Sequence, residues 1–215
     1  MIESLTINNK NSYTDFNLYI SKKEIGLPNK KVITQEIPFK NGHYDFSNYL
    51  GYPVYENRTI SYTFDIVADK LENEKSKILN WLFNVNNDEI YDSEISNYHF
   101  KGSFSNYSYA EDENYAELTV NFDCYPFKIA NNLTTKTLSN EINIIEESDN
   151  TIPIFYELKS VNGIQSATII NDNTQQIVSL NSNEFIKINK PMFETVTIEI
   201  EEDVSVIMQY RKEVY

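Results

Sequence analysis

The stretch from Ile37 to Phe64, IPFKNGHYDFSNYLGYPVYENRTISYTF, decides how this chain folds. Its second half alternates strictly. Ile60, Tyr62, Phe64 and Ile66 fall on one side, and Thr59, Ser61, Thr63 and Asp65 on the other. Period two with one apolar side means a strand with one buried face and one wet face. The first half carries two breaks. Asn41-Gly42 is the dipeptide that most readily supplies two residues at positive φ, so a hairpin turn is expected there. Gly51-Tyr52-Pro53 is the second break. A sheet is therefore expected, with the preceding chain leading into it and a following element covering it.

Upstream, residues 1–25 read as two strands on either side of the polar turn NKNSYTD. Leu5 and Ile7 carry the first; Phe16, Leu18 and Ile20 carry the second. A short strand over 32–37 enters the central stretch. Downstream, residues 69–83 make the one convincing helix. Asp69 can cap it and Glu72 completes the capping-box spacing. Leu71, Ile78 and Leu82 share one face, widened by Leu79 and Trp81, and Trp81 reads as a core anchor against the sheet. Short strands follow over 89–92, 98–105 and 116–122, with NYSYAEDEN as an acidic turn before the last.

At Asn131-Asn132 the texture changes. Residues 131–150 are polar and acidic and read as a linker plus a first strand over 142–145. Six more short strands follow without a helix. The last two, 196–200 and 204–210, are expected as a hairpin around Glu202-Asp203. Strands at this spacing indicate a β-sandwich. The expected fold class is mainly β with one helix: a sandwich or barrel-like domain over 1–130, then a small sandwich over 131–215.

The totals fit a folded chain. Of 215 residues, 40% are apolar and 23% charged, with 16 Tyr and 12 Phe. Tyrosine buries a ring while keeping a hydroxyl wet, which suits both strands and interfaces. The formal charge is −14. Residues 1–130 hold 12 basic and 19 acidic residues, and residues 131–215 hold 6 and 13, so each part carries −7. With no basic stripe to release counterions, binding to a nucleic acid backbone is not expected. No run of 18 apolar residues occurs, and MIESLTINNK lacks the basic-then-apolar pattern of a secretory leader. Cys124 is the only cysteine and reads as a small core residue.

No catalytic constellation, cofactor motif or metal site is legible. His43 and His99 lack metal-ligand spacing and read as two surface histidines. There is no G-x-S-x-G, P-loop or G-x-G-x-x-G. Asn171-Asp172-Asn173 hints at calcium but lacks the glycine and distal glutamate of the known loop, so a polar hairpin turn is expected. Acidic pairs such as Glu146-Glu147 read as solvated turns. Arg58 is the only arginine in the first 200 residues. It reads either as an exposed salt bridge or as one half of an intersubunit pair.

The chain resembles the distal tail proteins of long-tailed bacteriophages, the siphovirus tail-component family. The likeness rests on the order of several pieces. They are YTDFNLYI at 13–20, Ile37-Pro38 leading to Asn41-Gly42 and Asp45-Phe46, then Gly51, Tyr55 and ENRTI at 56–60. The helix with Leu79 and Leu82, FKGSF at 100–104, LTVNF at 118–122 running into CYPF at 124–127, and IMQYR at 207–211 complete it. One departure stands out: Phe39-Lys40 occupies the place where the family often carries Gly-Arg.

The resemblance implies a homo-hexameric ring at the virion tail tip. The first domain would form the ring and the second would be a galectin-like sandwich. The partners would be the tail tube protein, the tail-associated spike or lysin protein, and receptor-binding parts. Tyr49, Tyr55, Asn57 and Arg58 are the candidate ring-interface residues. The alternative reading is a carbohydrate-binding sandwich with Tyr156, Phe185 and Phe193 facing the glycan. A cell-wall glycan hydrolase is third, and would need two carboxylates about 5–10 Å apart.

Overall fold

The computed structural model describes residues 2–49, 51–68, 70–139, 142–146, 152–171, 174–201 and 203–215. The chain divides into two compact units, Met1–Ile129 together with Tyr215, and Ala130–Val214. Both are built from antiparallel strands, and α1 is the one helix among the described residues.

The first unit contains β1 (Leu5–Ile7), β2 (Lys10–Asn11), β3 (Tyr19–Ile25), β4 (Thr34–Glu36), β5 (His43–Asp45), β6 (Arg58–Val67), α1 (Leu71–Phe83), β7 (Asp88–Asp92), β8 (Tyr98–Asp112) and β9 (Tyr115–Cys124), with β10 (Lys128–Ala130) at the division. Its main sheet runs β2-β1-β7-β8-β9-β6-β3. At the centre β6 pairs with β9 from Arg58↔Cys124 to Val67↔Tyr115. The alternation read from sequence becomes cross-strand packing. Ile60, Tyr62, Phe64 and Ile66 stand opposite Phe122, Val120, Leu118 and Ala116, and all eight are buried.

The sheet curls. Two strands separate β7 from β6 in the sheet order, yet Tyr62 Oη donates to Asp92 Oδ2 at 2.8 Å. Lys23 on the edge strand β3 also reaches that carboxylate, at 3.4 Å. Register shifts at Ile20/Lys22 in β3 and Phe104/Asn106 in β8 supply the bends. α1 closes the remaining side with Leu71, Ile78, Trp81 and Leu82. At 13 residues it is too short to persist alone, so this packing holds it. Trp81 is the anchor: its indole N–H donates to Ile7 O at 3.2 Å and its ring stacks on Phe16 at 4.6 Å. The expected cap, Asp69, lies outside the described residues; Lys70 stands at the N-cap with no side-chain cap bond.

Two turns differ from expectation. Asn8 and Asn9 both take positive φ, 53° and 61°, and turn β1 directly into β2. That is the primed two-residue hairpin; it starts at Asn8, one residue before the polar turn read at 9–15, and β2 takes Lys10 and Asn11 out of that turn. NYSYAEDEN is not a turn. β8 continues to Asp112, placing Tyr107 and Tyr109 opposite Val120 and Leu118. The Tyr107/Tyr109 alternation carries the strand through the polar residues, and only Glu113-Asn114 turns.

The second unit contains β11 (Thr134–Ser139), β12 (Ile142–Glu146), β13 (Tyr156–Ser160), β14 (Gln165–Asn171), β15 (Thr174–Leu180), β16 (Ile186–Lys187), β17 (Thr195–Ile200), β18 (Ser205–Tyr210) and β19 (Glu213–Val214). Two four-stranded sheets, β11-β18-β13-β16 and β12-β17-β14-β15, enclose one core. Leu158, Val206 and Met208 come from one sheet, and Ile169, Val196 and Ile198 from the other. Part of the expected linker is strand: β11 pairs with β18 over six positions. Its sequence, TTKTLS, offers one buried apolar residue, Leu138, too little for a periodic signal. The expected hairpin of the last two long strands does not form. β17 pairs with β12 and β14, and β18 with β11 and β13. Their apolar residues face each other across the sandwich instead. Glu202, half of the turn expected there, lies outside the described residues.

Candidate assembly surface

Between β3 and β6 the chain leaves the main sheet and builds an arm. β4 and β5 pair only with each other, from Thr34↔Asp45 to Glu36↔His43. Residues 37–42 form the tip. Positive φ falls on Phe39 (67°) and Gly42 (79°), not on the adjacent pair Asn41-Gly42 that the sequence suggested. Farther from the tip, Lys31 N–H donates to Val54 O at 2.7 Å and Glu56 N–H to Asn29 O at 2.8 Å, zipping the two legs together.

The arm has no core. Every residue from 29 to 46 is exposed. Yet it carries large apolar side chains: Leu27 is 75% exposed, Val32 72%, Tyr49 82% and Phe39 fully so. A two-stranded hairpin with uncovered apolar side chains is marginal in water. Beyond the tip, Ile33, Phe46, Ser47, Tyr49 and Val54 line an open, apolar hollow of about 450 Å³.

The four sequence-nominated interface residues separate. Tyr49 is exposed at the hollow. Tyr55 is half-buried, its ring 5.0 Å from that of Phe127 and its hydroxyl 2.8 Å from that of Tyr215. Asn57 is exposed and donates from Nδ2 to Asp123 Oδ2 at 3.0 Å. Arg58 departs from both of its readings. It is 3% exposed, on the inward face of β6, with its guanidinium 4.9 Å over the Phe100 ring. Its Nε, Nη1 and Nη2 have no hydrogen-bond partner among the described residues. The exposed salt bridge is therefore corrected: position 58 continues the inward series of 60, 62, 64 and 66. Burial lowers the guanidinium pKa from its ordinary value. Gly102 makes room beside it, since a Cβ there would stand 2.5 Å from Cys124 Sγ.

The glycan-facing trio does not form one aromatic face. Tyr156 is 1% exposed and belongs to the core of the second unit, so it cannot meet a sugar there. Its position on β13 points inward with Leu158 and Ser160. Phe185, under the Lys159 ammonium at 5.5 Å, and Phe193 are each half-buried.

Of the remaining candidates, His43 is exposed on the arm, but His99 is not a surface residue. It is 2% exposed, 5.1 Å from the Tyr91 ring and 3.8 Å from Glu89 Oε1. Cys124 is buried, and burial pushes its thiol up to about 12. Asn171 is buried and donates from Nδ2 to Pro191 O at 2.7 Å; Asp172 and Asn173 lie outside the described residues. So does Glu147 of the acidic pair, while Glu146 ends β12 on an exposed position.

Sequence reasoning missed the network around Asp92. This carboxylate is 3% exposed and takes hydrogen bonds from Tyr62 and Lys23, while Lys23 also pairs with Glu94. Burial works against the Lys23 charge, but Glu94, Asp92 and Glu3 more than offset it and raise its pKa. The network ties three distant strands together, and nothing in the local pattern of β7 announces it.

No family model matches the sequence, and no curated protein matches it. Among solved structures, SPP1 Dit (gp 19.1) aligns over 100% of both chains with a TM-score of 0.70 at 10% identity. The chain has the fold of SPP1 Dit. That protein is described as a paradigm of the hub adsorption apparatus in phages that infect Gram-positive hosts. The Drosophila melanogaster CENP-C cupin domain covers 68% of this chain and 99% of its own at 14% identity, but its TM-score of 0.26 carries no argument. The Dit-like fold therefore covers both units, the curled sheet and the sandwich alike.

Proposed function

We infer that this protein is a structural subunit of a phage tail-tip hub. Copies of it close into a ring, a homo-hexamer in the arrangement that its family resemblance implies. The ring joins the tail tube to the tail-associated spike and to receptor-binding components. The observation that carries this reading is the arm. On a chain with the fold of a hub protein, every residue from 29 to 46 is exposed and the apolar ones find no cover among the described residues. Such a surface is an unmet contact, and a symmetric oligomer meets it with identical copies.

The electrostatics suit the role. The charge of −14 is spread over both units, so a bore lined by such copies repels a DNA backbone and lets it pass. The chain works by shape and contact, and its buried carboxylate Asp92 serves the fold. Electron microscopy of the purified protein, with light scattering over a concentration series, tests the reading. Annular particles of uniform size are expected. A monomer at every concentration would sink it.

A further inference from the structure

Phe39 is the anomalous residue of the arm. Lys40 N–H donates to Ile37 O at 3.2 Å, closing a turn with Pro38 and Phe39 at its centre. Proline at the first central position and positive φ at the second is the type II pattern, whose second position normally falls to glycine. Here an aromatic residue holds it, at φ 67°. A side chain in that region is strained. Among the described residues nothing offsets that strain, because the Phe39 ring is wholly exposed.

The apolar hollow of Ile33, Phe46, Tyr49 and Val54 supplies the complement, on the side of the β4–β5 pair away from the tip. Charge selects the occupant. Residues 27–55 hold three lysines (Lys30, Lys31, Lys40) and two carboxylates (Glu36, Asp45), a balance of +1 on a chain of −14. Everything outside the arm therefore carries −15. Two copies meeting elsewhere bring strongly like-charged surfaces together; arms meet without that repulsion.

We propose that Phe39 at the tip of one copy's arm seats in the hollow of the next copy's arm, so that the arms link head to tail. Tip and hollow are different patches, so each copy gives one and receives one. Such a contact propagates and closes when its rotation closes. The proposal rests on the ring reading and names the residues that hold the ring.

Cross-linking tests it. One preparation carries Phe39→Cys and another Val54→Cys, and the two are mixed under mild oxidation. The native Cys124 is buried and does not interfere. A disulfide-linked dimer is expected in the mixture and in neither preparation alone. Both substitutions in one chain should give a ladder ending at a closed species. In parallel, Phe39→Ser should raise the concentration for half-assembly about tenfold or more, with monomer unfolding no easier than in the parent. Rings that assemble at the same concentration with Phe39→Ser, or cross-links only between two Phe39→Cys chains, overturn the proposal and leave the ring reading standing. A parent protein that neither associates nor cross-links overturns both.

Discussion

Strand β6 and the arm just before it are neighbours in sequence and opposites in structure. Residues 58–67 and 32–46 both mix large apolar side chains with polar ones. In β6 the apolar residues fall on alternate positions, and β9 offers a matching series, so Ile60, Tyr62, Phe64 and Ile66 are at most 2% exposed. In the arm, Ile33, Ile37, Phe39, Tyr44 and Phe46 have only each other's hairpin for company, and all remain exposed. Apolar content alone therefore does not place a residue in a core. A partner surface does, and among the described residues none covers the arm.

The sharpest way to break that contrast is to truncate one phenylalanine in each region. Phe64→Ala should cost about 3–5 kcal/mol in urea unfolding, the usual cost of emptying a packed aromatic site. Phe46→Ala in the arm should move monomer stability by less than about 0.5 kcal/mol. Equal costs would mean that the arm packs on the body in solution.

Arg58 sharpens the comparison next, because it lies at the border of the two regions. It is buried like β6 but charged and unpaired among the described residues. Exchanging it for an apolar side chain of similar length removes the desolvation cost, so Arg58→Met should raise stability by roughly 1–4 kcal/mol. A loss in the purified monomer would mean that the guanidinium has an anionic partner.

Much of this was legible. Strict alternation marked β6 and β9, and the spacing of Leu71, Ile78 and Leu82 marked α1, because one period and one partner surface sufficed. Arg58 was legible too, by extending the alternation one step back from Ile60, but its charge argued for water. Other features left no local signal. Asp92 lies in a five-residue strand and meets Tyr62 and Lys23 only because the sheet curls. β17 and β18 share a hairpin's pattern, yet a sandwich can use the same two apolar series across its layers. The burial of Tyr156 follows from its partner strands, not from the residue type, and so its glycan-facing reading failed.

Alkali probes the buried side of the contrast alone. Burial raises the pKa of Cys124 from 9.0 to about 12 and pushes those of Tyr62 and Tyr156 well above 10.0. A group whose folded pKa is raised contributes stability that is present below its unfolded value and lost as pH climbs toward the folded one. Stability should therefore hold below pH 9 and fall above it, with Cys124 alone contributing a slope of about 1.4 kcal/mol per pH unit. Cys124→Ala should move the onset of the fall to near pH 10, where the tyrosines begin to count. Thermal unfolding at pH 8–11 reads it, and an unchanged onset would place Cys124 in contact with water.

The smallest effect belongs to the arm. Phe39→Gly relieves the positive φ of 67° and removes a ring that is wholly exposed. Glycine takes that conformation freely but is also freer when unfolded, so the two changes partly cancel. The net gain should be about 1 kcal/mol or less, read by urea unfolding at a concentration where the protein is monomeric. The sign matters more than the size. A buried phenylalanine can only lose stability when cut back to glycine, so any gain at position 39 marks a side chain kept for a surface outside the chain, whereas a loss of several kcal/mol would place the tip against its own domain.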